Sequence, residues 1–189
     1  MRLSRRRVCG AIATTASVAL TGCTNGTGTG DSTTTGGTDG PSTDAPFEGC
    51  PPLHDADRTV CAASAAADAP VVLRPSATTV ESPGTLRFTL SNGGETTLGL
   101  NPYGWAVHRE TTDGWARVAP DATIEPWREV APGDAQAWVL GVGTETEPTA
   151  AGGTVAYGPL ALDAGTYAFS VVAQAAGEWT AYVARFRVA

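Results

Sequence analysis

Leu86-Arg87-Phe88-Thr89-Leu90 decides the fold class of this chain. Apolar residues at every second position, with threonine and arginine between them, mark a strand with one face in a core and the other in water. The pattern recurs on both sides. Gln136, Trp138, Leu140 and Val142 alternate with the small residues Ala135, Ala137 and Gly141; Tyr167, Phe169 and Val171 form a third row, and Tyr182, Ala184, Phe186 and Val188 a fourth. Further strands are predicted over 71–80, 98–108, 115–118 and 154–162. Pro83-Gly84, Asn92-Gly93-Gly94, Asp113-Gly114, Pro132-Gly133 and Ala164-Gly165 separate them, as tight turns between short strands require. No long helical period occurs outside the N-terminal region. The body of the chain therefore reads as an all-β sandwich of about seven or eight strands.

Leu162-Asp163-Ala164-Gly165-Thr166-Tyr167 sharpens that reading. It resembles the tyrosine corner of Greek-key sandwiches, where the hydroxyl of Tyr167 would tie a buried ring to backbone a few residues upstream. Phe169 stands where an antibody domain has its second cysteine, and Phe88 is the predicted counterpart across the core. With Leu86–Leu90, Ser91-Asn92-Gly93-Gly94, Tyr103-Gly104-Trp105, Asp113-Gly114-Trp115 and Pro132-Gly133, these stations make residues 71–189 similar to the Ig-like domains of secreted prokaryotic lipoproteins of the haloarchaeal type. The resemblance implies an immunoglobulin-like Greek-key β-sandwich and a non-catalytic extracellular module. It carries over no catalytic residue.

The region before the sandwich reads as an address and a tether. Met1 to Arg7 is basic, and Val8 to Leu20 is a mostly apolar run without charge. Thirteen helical residues span only ~20 Å, short of the ~30 Å hydrocarbon core. Residues 1–22 are accordingly a signal peptide. Ser4-Arg5-Arg6-Arg7-Val8 resembles the twin-arginine export motif, with Val8 and Cys9 where an aromatic or leucine is usual. Leu20-Thr21-Gly22-Cys23 resembles a lipobox, which makes Cys23 the lipidated residue and the membrane a partner through that lipid. Residues 23–46 hold Cys23 and a run of threonine, glycine and a few acids that cannot form a core. Such a stalk reaches ~26 Å from the lipid surface. Asn25-Gly26-Thr27 within it fits the N-glycosylation sequon.

Charge narrows the partners. The chain contains no lysine, and its twelve basic residues are arginines. Four precede Cys23, where no acid lies, so the mature chain keeps eight arginines against nineteen acids, a formal charge of −11. Nucleic acid and anionic lipid heads are repelled by such a charge. In ~1 M salt the Debye length is only ~3 Å, so self-repulsion costs little there. The composition looks like that of a secreted protein of an extreme halophile.

Four cysteines divide by position. Cys9 leaves with the signal, Cys23 takes lipid, and Cys50 and Cys61 remain as an expected disulfide in an oxidising compartment. The alternative, a metal site using both thiols with His54, lacks a recognisable zinc spacing and a fourth ligand. The bracketed segment and its alanine-rich joint, residues 47–70, are placed outside the sandwich of residues 71–189.

Catalytic constellations are not evident in the sequence. His54 and His108 are read as isolated, and with Met1 removed a copper site lacks ligands. No HExxH occurs, and Asp55-x-Asp57 lacks the glycine and distal glutamate of a calcium loop. Ser91, Ser170 and His108 supply a serine and a histidine, but no G-x-S-x-G accompanies them. No enzyme activity, cofactor or metal is expected. Five tryptophans remain, and Trp127, between Pro126 and Arg128, is the least suited to a core. Trp127 with Arg128 is the candidate contact pair, set against a ring merely tucked over the sandwich end. The predicted function is a lipid-anchored surface module acting by contact with an unknown cell-surface protein. Alternatives are a solute- or ion-binding accessory lipoprotein of a transporter or respiratory complex, which would show a polar pocket, and a proteinase-inhibitor-like module using the loop 143–153.

Overall fold

The computed structural model describes residues 47–121, 124–146 and 153–189. The predicted signal (1–22), Cys23 and the stalk (23–46) lie outside the described residues. In chain order the strands are β1 (Arg58–Cys61), β2 (Val71–Pro75), β3 (Thr79–Val80), β4 (Gly84–Asn92), β5 (Leu98–Leu100), β6 (Ala106–Thr111), β7 (Gly114–Ala119), β8 (Arg128–Val130), β9 (Ala135–Val142), β10 (Thr154–Leu160), β11 (Gly165–Ala175) and β12 (Glu178–Val188). Among the described residues the chain is all-β.

Two sheets face each other. The smaller runs β10-β9-β4-β2, and the larger is built on the long hairpin β11–β12. On the far side of β11, β6 pairs with its first half and β5 with its second; β7 and β8 extend those two strands outward. β1 and β3 lie parallel to the two ends of β12. Leu86, Phe88 and Leu90 from the smaller sheet meet Tyr167, Phe169, Val171 and Phe186 from the larger in one core. Phe88 and Phe169 stack with centroids 4.2 Å apart, the cross-core contact read from the sequence. Burying each such ring contributes roughly 1.5–3 kcal/mol. The Tyr167 hydroxyl donates to the carbonyl of Asp163 at 2.8 Å, four residues upstream, while its ring stacks on Phe186.

Prolines divide two of the predicted strands. Residues 71–80 form β2 in the smaller sheet and β3 in the larger, with the break after Pro75, which has no N–H to continue a ladder. Residues 98–108 form β5 and β6 around Pro102, whose carbonyl accepts the Trp138 indole N–H at 2.7 Å. The turn there carries Trp105 into the core, stacked on Phe169.

Residues 47–70 are not an appendage beside the sandwich. β1 runs in register with the start of β12, from Arg58↔Thr180 to Cys61↔Val183. The Cys50–Cys61 disulfide, with Cα atoms 5.7 Å apart, ties the preceding strap to that strand. The strap crosses the outer face of the larger sheet, where Leu53 and Trp115 pack on Cys61, Ala168 and Val183. At its beginning the Phe47 ring lies under the guanidinium groups of Arg185 and Arg187, at 4.9 and 4.2 Å. Period-two alternation finds a sheet's buried face but not a strap covering its other face.

Candidate functional site

The two histidines, isolated in sequence, meet under the strap. His54 from the strap and His108 from β6 have ring centroids 6.1 Å apart at 87°. His54 Nε2 lies 2.9 Å from Ser170 Oγ, and that hydroxyl donates to the carbonyl of Ala106 at 3.4 Å. With its own hydrogen turned to Ala106, the hydroxyl is left to accept a hydrogen bond from the Nε2–H tautomer of His54. Ser170 is fully buried. Burial lowers the His108 pKa to about 4, aided by the charges of His54 and Arg117. His54 is lowered too, by burial and then Arg117. Two neutral imidazoles and a serine clasp the strap to the sheet. Among the described residues, no three His, Cys, Asp or Glu side chains gather into a metal-binding group.

A cleft of about 440 Å³ opens between the sheets where β12 begins, lined by Arg58, Glu95, Glu178, Thr180 and Tyr182 with apolar neighbours. The Arg58 guanidinium donates to Thr180 Oγ1 at 3.4 Å. Burial raises the Tyr182 pKa, while Arg58 and the Thr180 hydrogen bond oppose that shift.

The outer face of the same sheet end carries two exposed indoles. Trp127, just before β8, sits over Gly99 of β5, where an added β-carbon would collide with the indole. Trp179 meets it at 6.1 Å between centroids and 81° between planes. Register puts Glu129, Gly99, Gln174 and Trp179 in one row across β8, β5, β11 and β12. Trp127 thus fills the place that Gly99 leaves empty in the row. The N–H of Trp179 is held by the Asp57 carboxylate at 2.8 Å.

Arg128 turns away from Trp127. Arg128 is opposite Leu100 in register, and its guanidinium closes on Gly153 at the edge between the sheets. Gln136 also reaches Gly153, donating from Nε2 to the carbonyl there. Neighbouring residues of an extended chain point to opposite faces, so Trp127 goes out and Arg128 goes in. The missing partner is Trp179. Its outward phase was visible in the alternation of Tyr182, Ala184 and Phe186, but its approach to Trp127 depends on strand order. Of the loop 143–153, only residues 143–146 and Gly153 are described.

No protein-family model and no curated protein sequence matches this chain. Among solved structures, the chain is similar to Pseudomonas fluorescens alkylpurine DNA glycosylase AlkC bound to DNA containing an abasic site analog, with a TM-score of 0.32 and 11% identity. That match spans 64% of this chain and 30% of the glycosylase chain. A likeness at that score carries no argument about fold or activity.

Proposed function

We propose that this protein is a lipid-anchored module on the outer face of a cell membrane, with an Ig-like Greek-key sandwich that works by contact and not by catalysis. Cys23 bears the lipid, residues 1–22 are the export signal, and the acidic, lysine-free composition suits concentrated salt. The tyrosine corner at Tyr167 supports the Ig-like assignment.

The exposed Trp127–Trp179 pair carries the contact reading. The stalk joins the domain at Phe47, which packs on Arg187 near the end of β12, whereas Trp179 lies at its start. Eight residue steps of strand run from Trp179 to Arg187, about 26 Å. Confinement at a membrane raises effective concentration, so one modest contact suffices. Cross-linking in intact cell envelopes, with Trp127→Ala as comparison, tests this reading: a specific adduct should be lost while the fold persists. An adduct pattern unchanged by the substitution contradicts it.

The cleft beside Arg58 favours a second reading, a solute-binding accessory lipoprotein. Its lining includes Arg58, Glu95 and Glu178. A solute that stabilises the protein in proportion to its concentration, and no longer does so in Arg58→Ala, would decide for it.

A further inference from the structure

We infer that the Trp127–Trp179 pair is a carbohydrate-binding platform, on which Trp127 stacks the apolar face of a neutral hexopyranose unit of a cell-surface polysaccharide. This rests on the contact reading above and names what is contacted.

The seat of the ring is the first reason. Gly99 forgoes a side chain at the centre of β5, and the Trp127 indole occupies the space, backed by the strand. A ring supported in this way offers a flat, preordered outer face, so little freedom is lost on binding. A pyranose has the complementary shape, with axial C–H groups on a face and hydroxyls around its rim. Trp179, at 81° to Trp127, forms a side wall.

Size is the second. Trp127 is 55% and Trp179 41% exposed. Together they offer about one tryptophan's surface, at most ~250 Å². A stable protein interface takes ~800 Å² from each partner, so a folded protein or a second copy would find too small an apolar centre. One or two sugar rings fit it.

Charge is the third. Gln174 and Glu129 lie in the same row and can bond hydroxyls at the rim of the sugar. Glu129 repels uronate or sulfated chains. In dilute salt the formal charge of −11 on the proposed mature chain repels those chains too, and a second copy. A neutral sugar meets none of this repulsion, and its stacking survives salt that screens charge.

The test titrates the full chain carrying Cys23→Ser with cellohexaose, maltohexaose and mannohexaose, followed by tryptophan fluorescence and calorimetry. At least one oligomer should bind with a dissociation constant of ~1 mM or below. Trp127→Ala should weaken that binding at least ~10-fold and Trp179→Ala ~3-fold, with Trp127→Phe falling between Trp127→Ala and the parent. Affinity should change less than ~2-fold between ~0.2 and ~3 M salt. Failure of all three oligomers to bind at ~10 mM overturns the inference, as does equal binding by folded Trp127→Ala. If Trp127→Ala does not fold, Trp127→Phe and Trp179→Ala decide. A chain that binds no oligomer yet loses its envelope adduct in Trp127→Ala refutes the sugar and leaves the contact reading intact.

Discussion

His54 Nε2 and Ser170 Oγ stand 2.9 Å apart although 116 residues separate them in the sequence. This contact fastens the strap to the outer face of the larger sheet, and it places His54 beside His108. Burial and then Arg117 oppose protonation of His54, and burial, His54 and Arg117 oppose protonation of His108. Protonation therefore works against the clasp.

The first prediction is a loss of stability in mild acid. Unfolded histidines take a proton near pH 6.5, whereas folded His108 holds out to about 4. Between those values the unfolded chain binds more protons, so stability is greatest above ~6.5 and falls as pH drops toward 4. For His108 the slope approaches ~1.4 kcal/mol per pH unit, with a total of roughly 2 kcal/mol after solvent screening. Urea midpoints at pH 7.5 and 5.5, with His108→Gln as comparison, check this above the carboxylate range. A flat response, or an equal slope in His108→Gln, contradicts it.

The sequence and the strap explain why this was hidden. Leu86, Phe88, Leu90, Phe169 and Tyr167 announced their burial because alternation is local and a core face is continuous along a strand. Which strands lie side by side is not local. Nothing between His54 and Ser170 in the chain says that the loop ahead of β1 folds back over β11. The same ignorance hid Trp179 as the neighbour of Trp127. Arg128 is a different case, since period two already assigns it the face opposite Trp127.

Removing the disulfide should free the strap without dissolving the sandwich. Cys50 and Cys61 close a short loop, and its chain entropy is worth roughly 3 kcal/mol. The Phe88–Phe169 core does not depend on it. Reduction, or the pair Cys50→Ser and Cys61→Ala, should lower the unfolding free energy by about 2–3 kcal/mol. Hydrogen exchange should speed up first at Arg58–Cys61, and last in the central β11–β12 ladder. Uniform acceleration in both strands would show that the strap and sheet are one cooperative unit.

Tyr167→Phe isolates a single hydroxyl. The ring keeps its stacking on Phe186, while the Asp163 carbonyl loses its donor. A cost of about 1 kcal/mol is expected in denaturant unfolding, against roughly 3–5 for Tyr167→Ala, which also empties the core. An equal cost for both would mean that the ring contributes nothing beyond its hydrogen bond.

The proposed anchor is tested by Cys23→Ser, which should move the protein from the detergent phase to the medium or another soluble fraction. Unchanged membrane retention would remove the lipid from the account. Arg5→Lys with Arg6→Lys should block export by the twin-arginine route; normal export would indicate the general secretory route.

The last prediction concerns Gly99. A β-carbon there would run into the indole of Trp127, and the clashing atoms belong to a side chain with open solvent beyond it. The ring can therefore swing out while Leu98 and Leu100 stay buried and β5 keeps its register with β8 and β11. Losing glycine also favours an ordered strand by roughly 0.5–1 kcal/mol. Gly99→Ala should accordingly fold, with a net cost below about 1 kcal/mol, yet change the near-ultraviolet signal of the Trp127–Trp179 pair. In a Trp127→Ala background, nothing remains for the new methyl to displace. The same Gly99→Ala should then be neutral or stabilising, giving a coupling of roughly 0.5–2 kcal/mol in the double-mutant cycle. Additive effects would mean that Gly99 and Trp127 act independently. The glycine would then need another explanation, and the preordering of the ring would lose its basis.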